Sequence, residues 1–210
     1  MDSSPYPRHI GPYSIVEVIG EGGMGVVYLA RQEEPVRRTV ALKVLRPEHG
    51  SAEWLARFQA ERQALAVMDH PSIAKIFDAG MTEDGRSWFA MERVEGRPIT
   101  AFCDGTRMPL RDRIRLFAKV CQAVQHAHQK GLIHRDLKPS NVLVAEVDGH
   151  PLPRIIDFGI AKATEAAEFD GTGLTRDDQV VGTPAYMSPE QVEGSPDIDT
   201  RERAGTPPIL

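Results

Sequence analysis

From Tyr13 to Leu45 the apolar positions fall in short, strand-like runs. Residues 13–19 and 26–30 are two such runs flanking a glycine cluster, and 36–45 follows a charged turn, so three strands are predicted. The period then lengthens. Between Ala52 and Asp69, the residues Trp54, Phe58, Leu65 and Met68 recur at spacings that fit one face of a helix. Residues 73–77 and 88–94 read as two further strands, with Glu83-Asp84-Gly85 as a turn between them. The sheet-like pattern ends near Gly96-Arg97-Pro98. A long helix is predicted over 110–130, with Leu110, Ile114, Phe117, Cys121, Val124 and His128 on one stripe and Gly131 as its stop. Short apolar runs at 142–144 and 155–156 flank an Asp148-Gly149 turn, and beyond Phe158 the chain is mostly turn-like. The expected organisation is α+β: a small sheet-rich lobe with one helix, joined to a helical lobe.

Composition narrows the class. Of 210 residues, 41% are hydrophobic and 26% charged, the balance of a globular chain. A net charge of −5 argues against sequence-independent binding to nucleic acid or an anionic membrane. Residues Met1 to His9 carry no apolar h-region, and no window is long and apolar enough to span a bilayer. Cys103 and Cys121 suit a reducing compartment, so a cytoplasmic location is expected.

The glycine cluster reads Gly20-Glu21-Gly22-Gly23-Met24-Gly25-Val26-Val27 and fits G-x-G-x-x-G-x-V. Glycine lets backbone N–H groups approach a phosphate that side chains would keep away. A dinucleotide site would place a helix after the third glycine. Here a strand follows, so the loop reads as a hairpin over phosphates, against the plain alternative of a glycine-rich turn. In Val40-Ala41-Leu42-Lys43, alternation puts Ala41 and Lys43 on one face and Val40, Leu42 and Val44 on the other. Glu61 falls within the apolar stripe of the first helix. A carboxylate facing a core needs a cationic partner, and Lys43 is the natural one.

His134-Arg135-Asp136-Leu137-Lys138-Pro139-Ser140-Asn141 is followed sixteen residues after Asn141 by Asp157-Phe158-Gly159, and then by Gly182-Thr183-Pro184 and Pro189-Glu190. With these motifs in order, the chain from Tyr13 to Glu190 resembles the eukaryotic-type serine/threonine protein kinases of bacteria. The resemblance implies a two-lobed kinase-like fold: residues 1–12 as a loose lead-in, 13–95 as the ATP-binding small lobe, and 96–190 as an incomplete large lobe. It implies ATP-dependent phosphorylation of Ser and Thr hydroxyls on proteins. Asp136 would orient the hydroxyl and take its proton, and Lys138 would neutralise the transferring phosphoryl group. Asn141 and Asp157 would ligate Mg²⁺ through oxygen. Lys43, held by Glu61, would grip the α/β-phosphates beneath Gly20, Glu21, Gly22, Gly23, Met24 and Gly25. Met91-Glu92-Arg93-Val94 resembles the hinge, with Met91 as gatekeeper and Glu92 and Val94 offering backbone groups to adenine. Ile19, Val27, Ala41 and Leu143 would enclose the ring. In the family, the arginine before the catalytic aspartate pairs with a loop phosphate, which makes Thr172 and Thr175 candidate self-phosphorylation sites and gives Thr183 a structural role.

The tail departs from the family pattern. Residues 191–210 lack a helical period and carry the adjacent prolines Pro207-Pro208, so a truncated or frame-shifted end is expected, with low stability and weak activity. Two alternatives stay open: an inactive module that binds nucleotide or a partner, and a fragment without a stable fold. The first would be marked by loss of Lys43, Asp136 or Asp157, and all three are present. Cys103, Cys121, His126 and His128 fit no common zinc spacing and are assigned to core or surface, as is Trp54 to core.

Overall fold

Six antiparallel strands form where short runs rich in β-branched, aromatic and other apolar residues occur. They are β1 (His9–Ile10), β2 (Tyr13–Gly22), β3 (Gly25–Gln32), β4 (Arg38–Leu45), β5 (Ile76–Met81) and β6 (Ser87–Glu92), in the spatial order β1-β2-β3-β4-β6-β5. The computed structural model describes residues 6–47, 68–134, 136–158 and 184–186. Most of the helix expected over 52–69 lies outside these residues. So do Glu61, Arg135, Gly159, Thr172, Thr175, Thr183, Pro189, Glu190 and the tail.

The chain divides into two compact units, one holding described residues 6–47 and 75–93, the other holding 68–74 and those from 94 onward. In the first unit, one sheet face forms the core: Tyr28, Ala30, Val40, Leu42, Val44, Trp88 and Ala90 are buried together with Ile10 and Tyr13. Each such large apolar side chain contributes roughly 1.5–3 kcal/mol on burial. Trp88 anchors the cluster. Its ring meets Tyr13 edge-on at 5.5 Å, and a Cβ placed at Gly80 would come within 2.6 Å of it. The lead-in expected to be loose contributes β1, which pairs His9 with Ser14 and Ile10 with Tyr13.

The second unit contains β7 (Arg97–Pro98), α1 (Ile99–Gly105), α2 (Leu110–His128), β8 (Val142–Val147) and β9 (His150–Ile155), with β8 between β7 and β9. Asp148 and Gly149 both take positive φ, 52° and 75°, which makes the two-residue β8–β9 turn of the primed kind. Helix α2 stops through Gly131 at φ 75°: Gly131 N–H donates to the His128 carbonyl and Leu132 N–H to that of Ala127. Among the described residues, no helix is long and apolar enough to cross a membrane, which says nothing of strands.

Two further expectations are corrected, and one helix is added. The strand placed at 73–77 begins at Ile76, because Ile73 bridges Ile155 and is buried in the core of the second unit, as is Met68. The buried line of α2 is Leu116, Val120, Ala123 and Ala127, while Leu110, Ile114 and Cys121 are exposed and Phe117 and Val124 pack at its margin. Helix α1 was not expected; at two turns it is too short to show a period, and Ile99, Phe102 and Cys103 fix it to the core.

Candidate active site

In the first unit, the glycine run forms the tip of the β2–β3 hairpin. Gly22 pairs with Gly25 across a Gly23-Met24 turn, and Arg46 N–H donates to the Met24 carbonyl at 3.0 Å. Gly25 has φ 152°, and a Cβ there would overlap the Val44 carbonyl oxygen. A Cβ at Gly22 or Gly23 would meet nothing within 4 Å, so the fold itself does not require glycine at these two positions. Bulges interrupt β2 between Ile15 and Glu17 and between Val18 and Gly20, which puts Val16 and Ile19 outside the ladder and exposed. Gly20 and Glu21 pair with Val27 and Val26.

Register brings four of the expected residues onto one face. Lys43 lies between Val27 and Phe89, and Ala41 between Leu29 and Met91. Neighbouring positions in the strands face the opposite way, into the Leu42 and Trp88 core. Val27, Ala41, Lys43 and Met91 thus share the sheet face away from that core. Lys43 is 6% exposed, and its Nζ lies 5.8 Å from the centre of the Phe89 ring. Glu92 ends β6 and is half-buried.

In the second unit, the chemistry collects on the loop before β8. The carboxylate of Asp136 receives the Lys138 ammonium at 2.9 Å. The Asn141 amide nitrogen donates to the Asp136 main-chain oxygen at 2.9 Å and to its Oδ2 at 3.3 Å. A single turn over Pro139–Asn141 supplies this geometry, with Asn141 N–H bonded to the Lys138 carbonyl. Asn141 thereby commits its nitrogen to Asp136, which leaves its amide oxygen as an acceptor end. The Asn141 main-chain oxygen accepts from Ile156 N–H at 2.9 Å, next to Asp157. Asp157 itself sits at φ 61°, a left-handed conformation that costs a non-glycine residue energy and is concentrated at functional sites.

His134 organises this loop from beneath. It is 2% exposed, its Nε2 lies 3.1 Å from the Ile156 carbonyl, and its ring lies 4.7 Å from that of Phe158. Asp136 N–H donates to the His134 carbonyl at 2.8 Å and lies 3.3 Å from Nδ1. Nδ1 accepting and Nε2 donating describe a neutral ring, and burial pushes the His134 pKa down. Leu143 on β8 pairs with Pro98 and Arg154 and is half-buried, while Val142 and Val144 turn to the core. Val94 is half-buried in the connection leading to β7.

Sequence reasoning missed the bracing roles of His134 and Asn141 toward Asp136, and the conformation of Asp157. None of these lies on a periodic element, so no pattern of apolar positions could report them.

A family model described as "Protein kinase domain" matches residues 13–202. Serine/threonine-protein kinase pkn3 of Myxococcus xanthus is 43% identical over 187 residues, which cover 87% of this chain and 34% of that protein. Serine/threonine-protein kinase PknA of Mycobacterium tuberculosis is 40% identical over 190 residues, covering 88% and 42%. The crystal structure of the Mycobacterium tuberculosis PknI kinase domain matches with a TM-score of 0.67 at 30% identity, covering 92% of this chain and 68% of that one. The chain thus spans about a third to two fifths of the length of the two curated relatives.

Proposed function

The chain belongs to the protein kinase family, alongside bacterial serine/threonine kinases, and from that premise we propose that it transfers the γ-phosphoryl group of ATP to serine and threonine hydroxyls of proteins. The observation that carries this reading is the Asp136 carboxylate held between the Lys138 ammonium and the Asn141 amide. Phosphoryl transfer depends on positioning and charge neutralisation, and it needs one carboxylate aimed at the incoming hydroxyl. Asp136 orients that hydroxyl and accepts its proton as the oxygen attacks. Lys138 offsets the negative charge on the transferring group.

Protein kinases use ATP together with a divalent metal. The residues present fit Mg²⁺: Asn141 has its amide oxygen to offer, Asp157 has a carboxylate, and both are the hard oxygen donors this ion takes. When bound, the ion neutralises phosphate charge. The nucleotide lies by this reading on the sheet face of Val27, Ala41, Lys43 and Met91, under the Gly22-Gly23 backbone and beside Ile19. Glu61 holds Lys43. Thr172 or Thr175 receives phosphate from the chain itself, where Arg135 would pair with it.

The test is transfer from labelled ATP to a protein substrate by wild type, Asp136→Asn and Lys43→Met. The reading requires labelling by wild type and its loss in both variants; equal labelling by all three sinks it.

A further inference from the structure

Phe89 is buried on the sheet face of Lys43 and Ala41, yet phosphoryl transfer as described asks nothing of it. It is 1% exposed and, among the described residues, joins neither hydrophobic cluster. Register sets it directly opposite Lys43, as Met91 stands opposite Ala41 two residues along the strand. Side chains directly opposed across an antiparallel pair stand close enough to interact. Here the Lys43 Nζ lies over the Phe89 ring, 5.8 Å from its centre. A ring face attracts an ammonium within roughly 6 Å, and the attraction grows as water is excluded. Lys43 is itself buried, so the two groups meet away from water. Both have further partners, and the ring acts beside these.

We propose that Phe89 is a positioning residue for Lys43: the face of its ring holds the ammonium ready for the phosphates of ATP. A lysine ammonium sits on a flexible stem and must be ordered before it can meet an anion. A group that fixes it in advance lowers the cost of binding. An aliphatic side chain in this place would fill the space but offer the charge no quadrupole. The ring also carries no anion, so it does not compete with phosphate as a further carboxylate would. The Lys43–Phe89 pair thus serves the phosphate part of the nucleotide, and the Ala41–Met91 pair the base. This role rests on the kinase reading above and gives work to an aromatic ring which that reading leaves unused.

The test replaces Phe89 in the 210-residue chain by mono-, di- and trifluorinated phenylalanine and measures equilibrium binding of ATP and of adenosine. Ring fluorines draw electron density from the face while nearly keeping the shape of the side chain. ATP affinity is expected to fall stepwise with each fluorine, by roughly three- to thirtyfold over the series, the worth of a desolvated cation–π contact. Adenosine has the base and sugar but no phosphate, and its affinity should hold throughout. Unchanged ATP affinity across the series overturns the proposal. So does an equal fall for ATP and adenosine, which a mere packing role would give. A rise in ATP affinity overturns it too, because ring and phosphate would then be competing for the ammonium. A wild-type chain that binds neither ligand overturns the kinase reading itself, which separates the two failures.

Discussion

Asn141 bonds Asp136 twice, once at the main-chain oxygen and once at the carboxylate. The first bond fixes the loop and the second fixes the side chain, so the carboxylate is oriented before any substrate arrives. Asp136→Asn keeps the shape and removes the base. The expected result is a fall in turnover of about 10²–10⁴, the usual worth of a positioned base, with ATP affinity held. Single-turnover transfer and nucleotide binding, measured on the same preparation, check this. Turnover within a factor of about three of wild type would remove Asp136 from the role assigned to it.

Lys43 is buried beside Phe89 on a strand face otherwise apolar. An ammonium in such a place calls for a counter-charge, and the proposed reading assigns that role to Glu61, which lies outside the described residues. A double-mutant cycle of Lys43→Arg and Glu61→Gln on ATP turnover should show coupling of about 0.5–3 kcal/mol. Strict additivity would mean that Glu61 serves Lys43 in no way.

The strand faces were legible because a period of two assigns every side chain once one is placed. Ala41 and Lys43 separated from Val40, Leu42 and Val44 on that ground alone, and the structure keeps them apart. The α2 stripe was misplaced by one residue, or about 100° around the helix. The large side chains Leu110, Ile114 and Phe117 drew the line, whereas the core accepts Leu116, Val120 and the small Ala123 and Ala127. Ile73 and Ile76 read as one apolar run, yet they pack in different units. Spacing along a chain carries no information on which core a residue joins. The residue types at Asp136, Lys138, Asn141 and Asp157 were legible through resemblance, but the bonds among them depend on loop geometry that no periodicity encodes.

His70 and His126 lie ring to ring at 5.1 Å, and burial together with the neighbouring His126 lowers the His70 pKa below its ordinary 6.5. His134 is shifted the same way by burial. In each case the unfolded chain takes up a proton at a higher pH than the folded one does. Stability is therefore full above about pH 6.5, falls as pH drops through that value, and levels off below the folded-state pKa. The urea midpoint should accordingly drop between about pH 7.5 and 5.5. His70→Asn preserves an acceptor for the Ser72 N–H, which His70 Nδ1 receives at 3.1 Å, and should flatten that dependence. An unchanged slope in His70→Asn would show that its protonation is not linked to folding.

The four glycines of the hairpin should separate by what each one answers to. Gly25 answers to the fold: its φ is 152° and a side chain would run into the Val44 carbonyl. Backbone cannot yield as the end of a flexible side chain can, so Gly25→Ala should cost roughly 1–3 kcal/mol of stability or more. Gly22 and Gly23 stand in open space, and neither has a φ in the left-handed range. Alanine there also restricts the unfolded chain, so Gly22→Ala and Gly23→Ala should leave stability within about 1 kcal/mol of wild type. Their methyl groups would instead stand where phosphate must approach the backbone N–H groups, and ATP affinity should fall severalfold. Gly20 lies between these cases, since its Cβ would make ordinary contact with Val27 at 3.8 Å. Denaturation midpoints and nucleotide titrations on the single variants measure the two effects separately. A Gly25→Ala chain as stable as wild type would contradict the steric argument. Full ATP affinity in both Gly22→Ala and Gly23→Ala would mean that the hairpin tip does not meet phosphate.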